Sequence, residues 1–87
     1  MSGRGPSAEP ELLARVECRS EESAEQRPVA VWIGGRRLAV DEIVDERVVG
    51  PLEAGSPLVR VVRLSLENGD RLRAERTLPD GRWRVYR

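Results

Sequence analysis

The last thirty residues, Leu58 to Arg87, restrict the chain more than any other stretch, because they read as a three-stranded antiparallel meander. Leu58–Leu66 alternates apolar and polar residues, and Glu67-Asn68-Gly69-Asp70 is a hairpin turn. Arg71–Arg76 alternates again, Pro79-Asp80-Gly81 turns the chain, and Trp83–Tyr86 closes it. A period of two sends successive side chains to opposite faces, the mark of a half-buried strand. Register can be read as well, since a slip of one residue turns every side chain over. A two-residue Asn68-Gly69 loop would set Leu72 against Ser65. A three-residue loop, Glu67-Asn68-Gly69 with Gly69 left-handed, sets Leu64 opposite Leu72 and Val62 opposite Ala74. The apolar register decides for the longer loop.

The same reasoning applies upstream. With Gly34-Gly35 as a two-residue loop, Val29–Val40 forms a hairpin in which Ile33 faces Arg36, Trp32 faces Arg37, Val31 faces Leu38 and Val29 faces Val40. Leu12, Ala14, Val16 and Cys18 sit at strict period two, which favours a strand. A helix capped by Ser7, with Leu12 and Val16 four apart, is the alternative. Asp41–Val49 is β-branched but breaks alternation at Ile43-Val44 and Val48-Val49, as a strand with a bulge near Asp41-Glu42 would. Met1–Pro10 is small, polar and rich in Pro and Gly, and reads as a disordered tail. Ser20–Gln26 and Gly50–Pro57 read as loops. The expected architecture is all-β: one domain over residues 11–87, an SH3-like barrel or a sandwich of five to six antiparallel strands.

Chemistry is limited by what the chain lacks. It has no His, hence no His-based triad and no His metal ligand. Cys18 is the single cysteine and falls on the alternating apolar face, so it reads as a structural thiol. There is no phosphate-binding Gly-rich loop, and no lysine to serve one. Asp41, Glu42, Asp45 and Glu46 match no calcium-loop spacing and read as a charged, solvated strand edge. No enzyme activity, cofactor or metal is expected. One cysteine, no long apolar run and no apolar leader point to the cytoplasm.

Charge is balanced overall but not along the chain. All fifteen basic residues are arginine and fifteen residues are acidic. From Leu58 onward arginine is in surplus by four, and before it acid is in surplus by four. Arg71, Arg73, Arg82 and Arg84 are thus candidate contacts at one end of the meander. Together with Trp83 and Tyr86 they contain the parts of a single-strand nucleic-acid platform. Against that, Trp83 and Val85 suit a core, and the acidic stretch Asp41–Glu46 would repel phosphate. Trp32 with Arg37 is the other candidate surface: an exposed cation–π pair, or a ring covered by Leu12–Cys18.

The stretch Arg27-Pro28-Val29-Ala30-Val31-Trp32-Ile33-Gly34-Gly35-Arg36-Arg37-Leu38-Ala39-Val40 is preceded by Val16-Glu17-Cys18-Arg19 and followed by Glu42-Ile43-Val44-Asp45. With a closing Gly81-Arg82-Trp83-Arg84-Val85, it resembles a bacterial family of small β proteins encoded beside, or fused to, DNA-damage-response genes, translesion-polymerase-like ones among them. Arg47 stands where that family has an aromatic residue, and its longer Trp-rich middle is missing. The resemblance implies no catalytic residue. A binding or accessory module acting through protein contacts is therefore expected, with weak nucleic-acid binding and self-association as the alternatives.

Overall fold

The computed structural model describes residues 10–19, 27–50, 55, 57–79 and 81–87. Six strands follow one another: β1 Ala14–Arg19, β2 Arg27–Ile33, β3 Arg36–Val49, β4 Val59–Leu66, β5 Arg71–Thr77 and β6 Trp83–Tyr86. Each is antiparallel to the next, and their spatial order is their chain order. Just ahead of β1, Leu12 N–H donates to Val85 O at 2.8 Å, which brings the first strand back to the last. The result is a nearly closed six-stranded barrel. Closing the sheet removes most of the bare edge that an open meander would leave for unwanted pairing. Among the described residues no helix is long and apolar enough to cross a membrane.

Both hairpins have the register expected from their apolar residues, except that the β2–β3 ladder ends at Ala30–Ala39: Val40 pairs with Leu66 of β4 and not with Val29, because β3 changes partner there. Trp32 pairs with Arg37 and Val31 with Leu38, across Gly34 and Gly35 at φ 60° and 78°. Both glycines are left-handed, which suits the twist of a two-residue hairpin. Leu64 pairs with Leu72 and Val62 with Ala74, and Gly69 at φ 92° completes the three-residue loop. Asn68 Oδ1 accepts from Asp70 N–H at 3.1 Å, a local Asn-based turn. Residues 12–19 form no helix: Ala14–Arg19 is a strand paired with β2, with a shift between Glu17 and Cys18. The expected tail lies almost wholly outside the described residues, as does the expected loop 20–26.

β3 is the longest strand and joins two halves of the barrel. Its first residues, Arg36–Ala39, pair with β2, whereas Val40–Val49 pair with β4. The ladder shifts at two places, between Val40 and Glu42 and between Ile43 and Asp45. The first is the bulge expected from the sequence. The second, at Val44, explains the adjacent apolar pair Ile43-Val44: Ile43 packs on the core and Val44 is exposed. Bulges of this kind bend the strand and strengthen its twist, as a small barrel requires.

The core comprises Val31, Leu38, Val62, Leu64, Leu66, Leu72, Ala74 and Val85. Leu12, Ala14, Val16, Ile33, Val40, Ile43 and Trp83 pack on it from the rim. Trp83 thus lies on the core side, as its place in the alternation suggests. The inner face also carries two buried arginines, Arg60 and Arg76, directly opposite each other on β4 and β5.

Candidate interaction surface

Two clusters occupy the outward face. The first sits on β1, β2 and β3. Arg15 pairs with Trp32 across β1 and β2, and Trp32 with Arg37 across β2 and β3, so all three side chains share one face. Glu17, two residues along from Arg15, draws them together. It accepts from Trp32 Nε1 at 3.0 Å and from Arg37 Nε and Nη2 at 2.9 and 3.1 Å. Arg15 lies over the Trp32 ring, 5.1 Å from its centroid. The cation–π partner of Trp32 is therefore Arg15, while Arg37 is held by a carboxylate. Ala30, opposite Glu17, is fully buried. Of the two placements open for Trp32, the structure gives a half-buried ring within a polar network.

The hydrogen bonds from Arg37 and Trp32 hold the Glu17 carboxyl at about 2, below its ordinary 4.5. A depressed folded value means that the unfolded chain takes up the proton first as pH falls. The contribution of Glu17 is thus complete above 4.5, falls as the pH drops from there toward 2, and is gone below it. Acid unfolding followed by Trp32 fluorescence should show this limb, and Glu17→Gln should flatten it. An unchanged acid limb in that variant would place the pH dependence elsewhere.

The second cluster lines a groove of about 330 Å³ bordered by Arg63, Arg71, Arg73, Arg87, Val44 and the Leu64–Leu72 pair. Arg63 and Arg73 are directly opposite across β4 and β5, on the outer face. Like charges in that position destabilise a sheet. Arg73 bonds Glu75 at 2.9 Å and lies over the Tyr86 ring at 4.7 Å, and Arg87 approaches Asp70 at 3.7 Å. Asp45, opposite Arg63 on β3, is engaged by Arg47 at 3.0 Å, which lowers its pKa. Arg63 and Arg71 are exposed guanidiniums with no ion pair among the described residues.

The meander arginines singled out from the sequence divide between two places. Arg71 and Arg73 line the groove. Arg84 is exposed opposite Glu75, and Arg82 is exposed just before β6; neither lines it. Arg63 and Arg87 complete the groove and were not among the expected contacts, although the outward parity of Arg63 with Val61 and Ser65 carried the signal for one of them. The acidic stretch is dispersed: Asp41 and Glu42 are exposed, Asp45 holds Arg47, and Glu46 reaches inward to Arg60. No group of three or more potential metal ligands comes together among the described residues.

Comparison of the chain with protein-family models, with curated proteins and with solved structures finds no match.

Proposed function

We propose that this chain is a non-enzymatic binding module, a barrel of the SH3-like kind in a bacterial cytoplasm, which docks an acidic segment of a protein partner into the arginine-lined groove. The observation that carries this reading is the direct opposition of Arg63 and Arg73 beside Arg71 and Arg87. Carboxylates entering that groove would relieve the repulsion, and Arg forks donate to carboxylates in a bidentate manner. Val44, exposed at its border, offers a small apolar contact. A protein segment suits this mixture better than a nucleic-acid strand does. Arg73 already covers one face of Tyr86, which withdraws that face from the base stacking that single-strand binding relies on. The resemblance to proteins encoded beside DNA-damage-response genes makes proteins of that response the first partners to try.

Fluorescence anisotropy at low salt, with a labelled acidic peptide containing aliphatic residues, tests the reading. Binding should weaken steeply as salt rises. The double variant Arg63→Gln/Arg73→Gln should bind at least tenfold more weakly, with its melting temperature unchanged or higher. Association of an oligonucleotide in preference to the peptide would replace this reading with nucleic-acid binding. A salt-sensitive dimer in sedimentation, with neither ligand bound, would replace it with self-association.

A further inference from the structure

The outer face of β3, β4 and β5 carries charges in an order that a second copy of the same face would match. Its side chains stand in rows across the three strands, fixed by the two ladders. One row reads Glu42, Ser65, Arg71, and the next reads Asp45, Arg63, Arg73. A third reads Arg47, Val61, Glu75. In every row the residue on β3 and the residue on β5 have opposite charge, and the sense reverses in the third. Along the strands the same groups form two ion pairs, Asp45 with Arg47 at 3.0 Å and Arg73 with Glu75 at 2.9 Å. These two pairs run in opposite senses on either side of β4. Glu42 and Arg71 are exposed and have no ion pair among the described residues. None of the side chains in the three rows is buried.

Such a pattern is its own complement under a two-fold axis, the symmetry of an isologous dimer. With the axis along β4 and the two outer faces together, β3 of each copy lies over β5 of the other, and every row lies over its own row. Glu42 then meets the second copy's Arg71, Asp45 meets its Arg73, and Arg47 meets its Glu75. Each contact occurs twice. Sheets packed face to face lie about 10 Å apart, a gap that an arginine and a carboxylate side chain bridge end to end. On the axis Val61 and Ser65 meet themselves, which puts small uncharged side chains in the middle of the contact. Arg63 also meets itself, with Asp45 opposite it on β3 to offset the repulsion. An axis running across the strands would match the two ion pairs as well. It would, however, set Glu42 over Val49 and Arg71 over Thr77, the row at the far end of the face, and leave both charges unpaired.

We propose that this face is a dimer interface, in which a second copy of the chain docks β3 over β5 about a two-fold axis along β4. The proposal rests on the reading of the groove as a carboxylate site and names what enters it: Glu42 and Asp45 of the second copy, beside Arg71 and Arg73. The four rows from Glu42 to Val49 cover roughly 400 Å² of sheet per copy by strand spacing and rise. Standard interfaces cover about 800 Å² per partner. The dimer is therefore weak, held largely by charge, and dissociated by salt.

Sedimentation velocity of the full chain, over a wide range of protein concentration at low and at high sodium chloride, tests this. Association should appear at low salt and disappear at high salt, and the labelled acidic peptide should dissociate the dimer by taking the same guanidiniums. Glu42→Arg and Arg71→Glu each set like charges face to face and should each weaken association at least tenfold. An equimolar mixture of the two variants sets opposite charges together at both contacts and should recover most of the parent's association. Neither exposed residue has an ion pair of its own to lose, so both variants should melt with the parent. A chain that stays monomeric at low salt while the peptide binds overturns the dimer and leaves the groove reading intact. A monomer that binds no peptide overturns both. A dimer that survives in each single variant, or a mixture that stays monomeric, overturns this docking. A dimer that obeys the charge reversals yet takes no peptide upholds the interface and ends the reading of a separate acidic partner.

Discussion

Trp83→Ala is expected to unfold the domain or bring it to the edge of unfolding, at a cost of about 3–5 kcal/mol. Small domains hold about 5–15 kcal/mol in all, and one of this size belongs near the lower end. The ring packs against the core beneath Arg60 and opposite Arg76. Its removal would open a void and strip Arg60 of its apolar cover, leaving a buried guanidinium beside an empty space. Urea denaturation followed by Trp32 fluorescence and far-ultraviolet circular dichroism measures the loss. Trp83→Phe should cost much less, because most of the buried ring remains. An alanine variant with the parent's urea midpoint would show that the core closes without this ring.

What could be read in advance was whatever alternation governs. The β2–β3 and β4–β5 registers followed from asking which pairing puts apolar residues opposite one another, and Val31–Leu38 and Leu64–Leu72 are found paired. The breaks in alternation at Ile43-Val44 and Val48-Val49 made a bulged strand legible, and one bulge does lie at Asp41; the second, at Val44, was not expected, because broken alternation does not count its bulges. Closure through Leu12 and Val85 joins residues at opposite ends of the chain, and no local pattern encodes such a contact.

The polar side-chain clusters, inner and outer, were less legible, and for a different reason. Sequence parity places Arg60 with Val62 and Leu64, and Arg76 with Leu72 and Ala74, so their inward direction was present in the pattern. Residue type argued the opposite, because a buried arginine is rare without a partner. The partners come from elsewhere in the chain: Glu46 for Arg60, and the turn carbonyls of Pro79 and Gly81 for Arg76. Trp32 was placed correctly opposite Arg37, yet its bond to Glu17 depends on how β1 docks, which the hairpin alone does not fix. The groove likewise needs β4 and β5 side by side before Arg63 and Arg73 meet.

The register of the meander itself gives the second large effect. Leu64 is fully buried and pairs with Leu72 on one side and Ile43 on the other, whereas Ser65 pairs with Arg71 on the outer face. Leu64→Ala should therefore cost about 2–5 kcal/mol, the sum of lost burial and the void left among side chains that cannot fully collapse. Ser65→Ala, one residue away, should change stability by no more than about 0.5 kcal/mol. The contrast is the test, because a slip of one residue would exchange the two outcomes. Leu72→Ala should be costly too, and the double variant should lose less than the two single losses together, since both truncations open the same space. Chemical denaturation of the four variants measures all of this. Equal, small losses for Leu64→Ala and Ser65→Ala would mean that neither face of β4 is a core face, and the pairing of the meander would have to be redrawn around another loop.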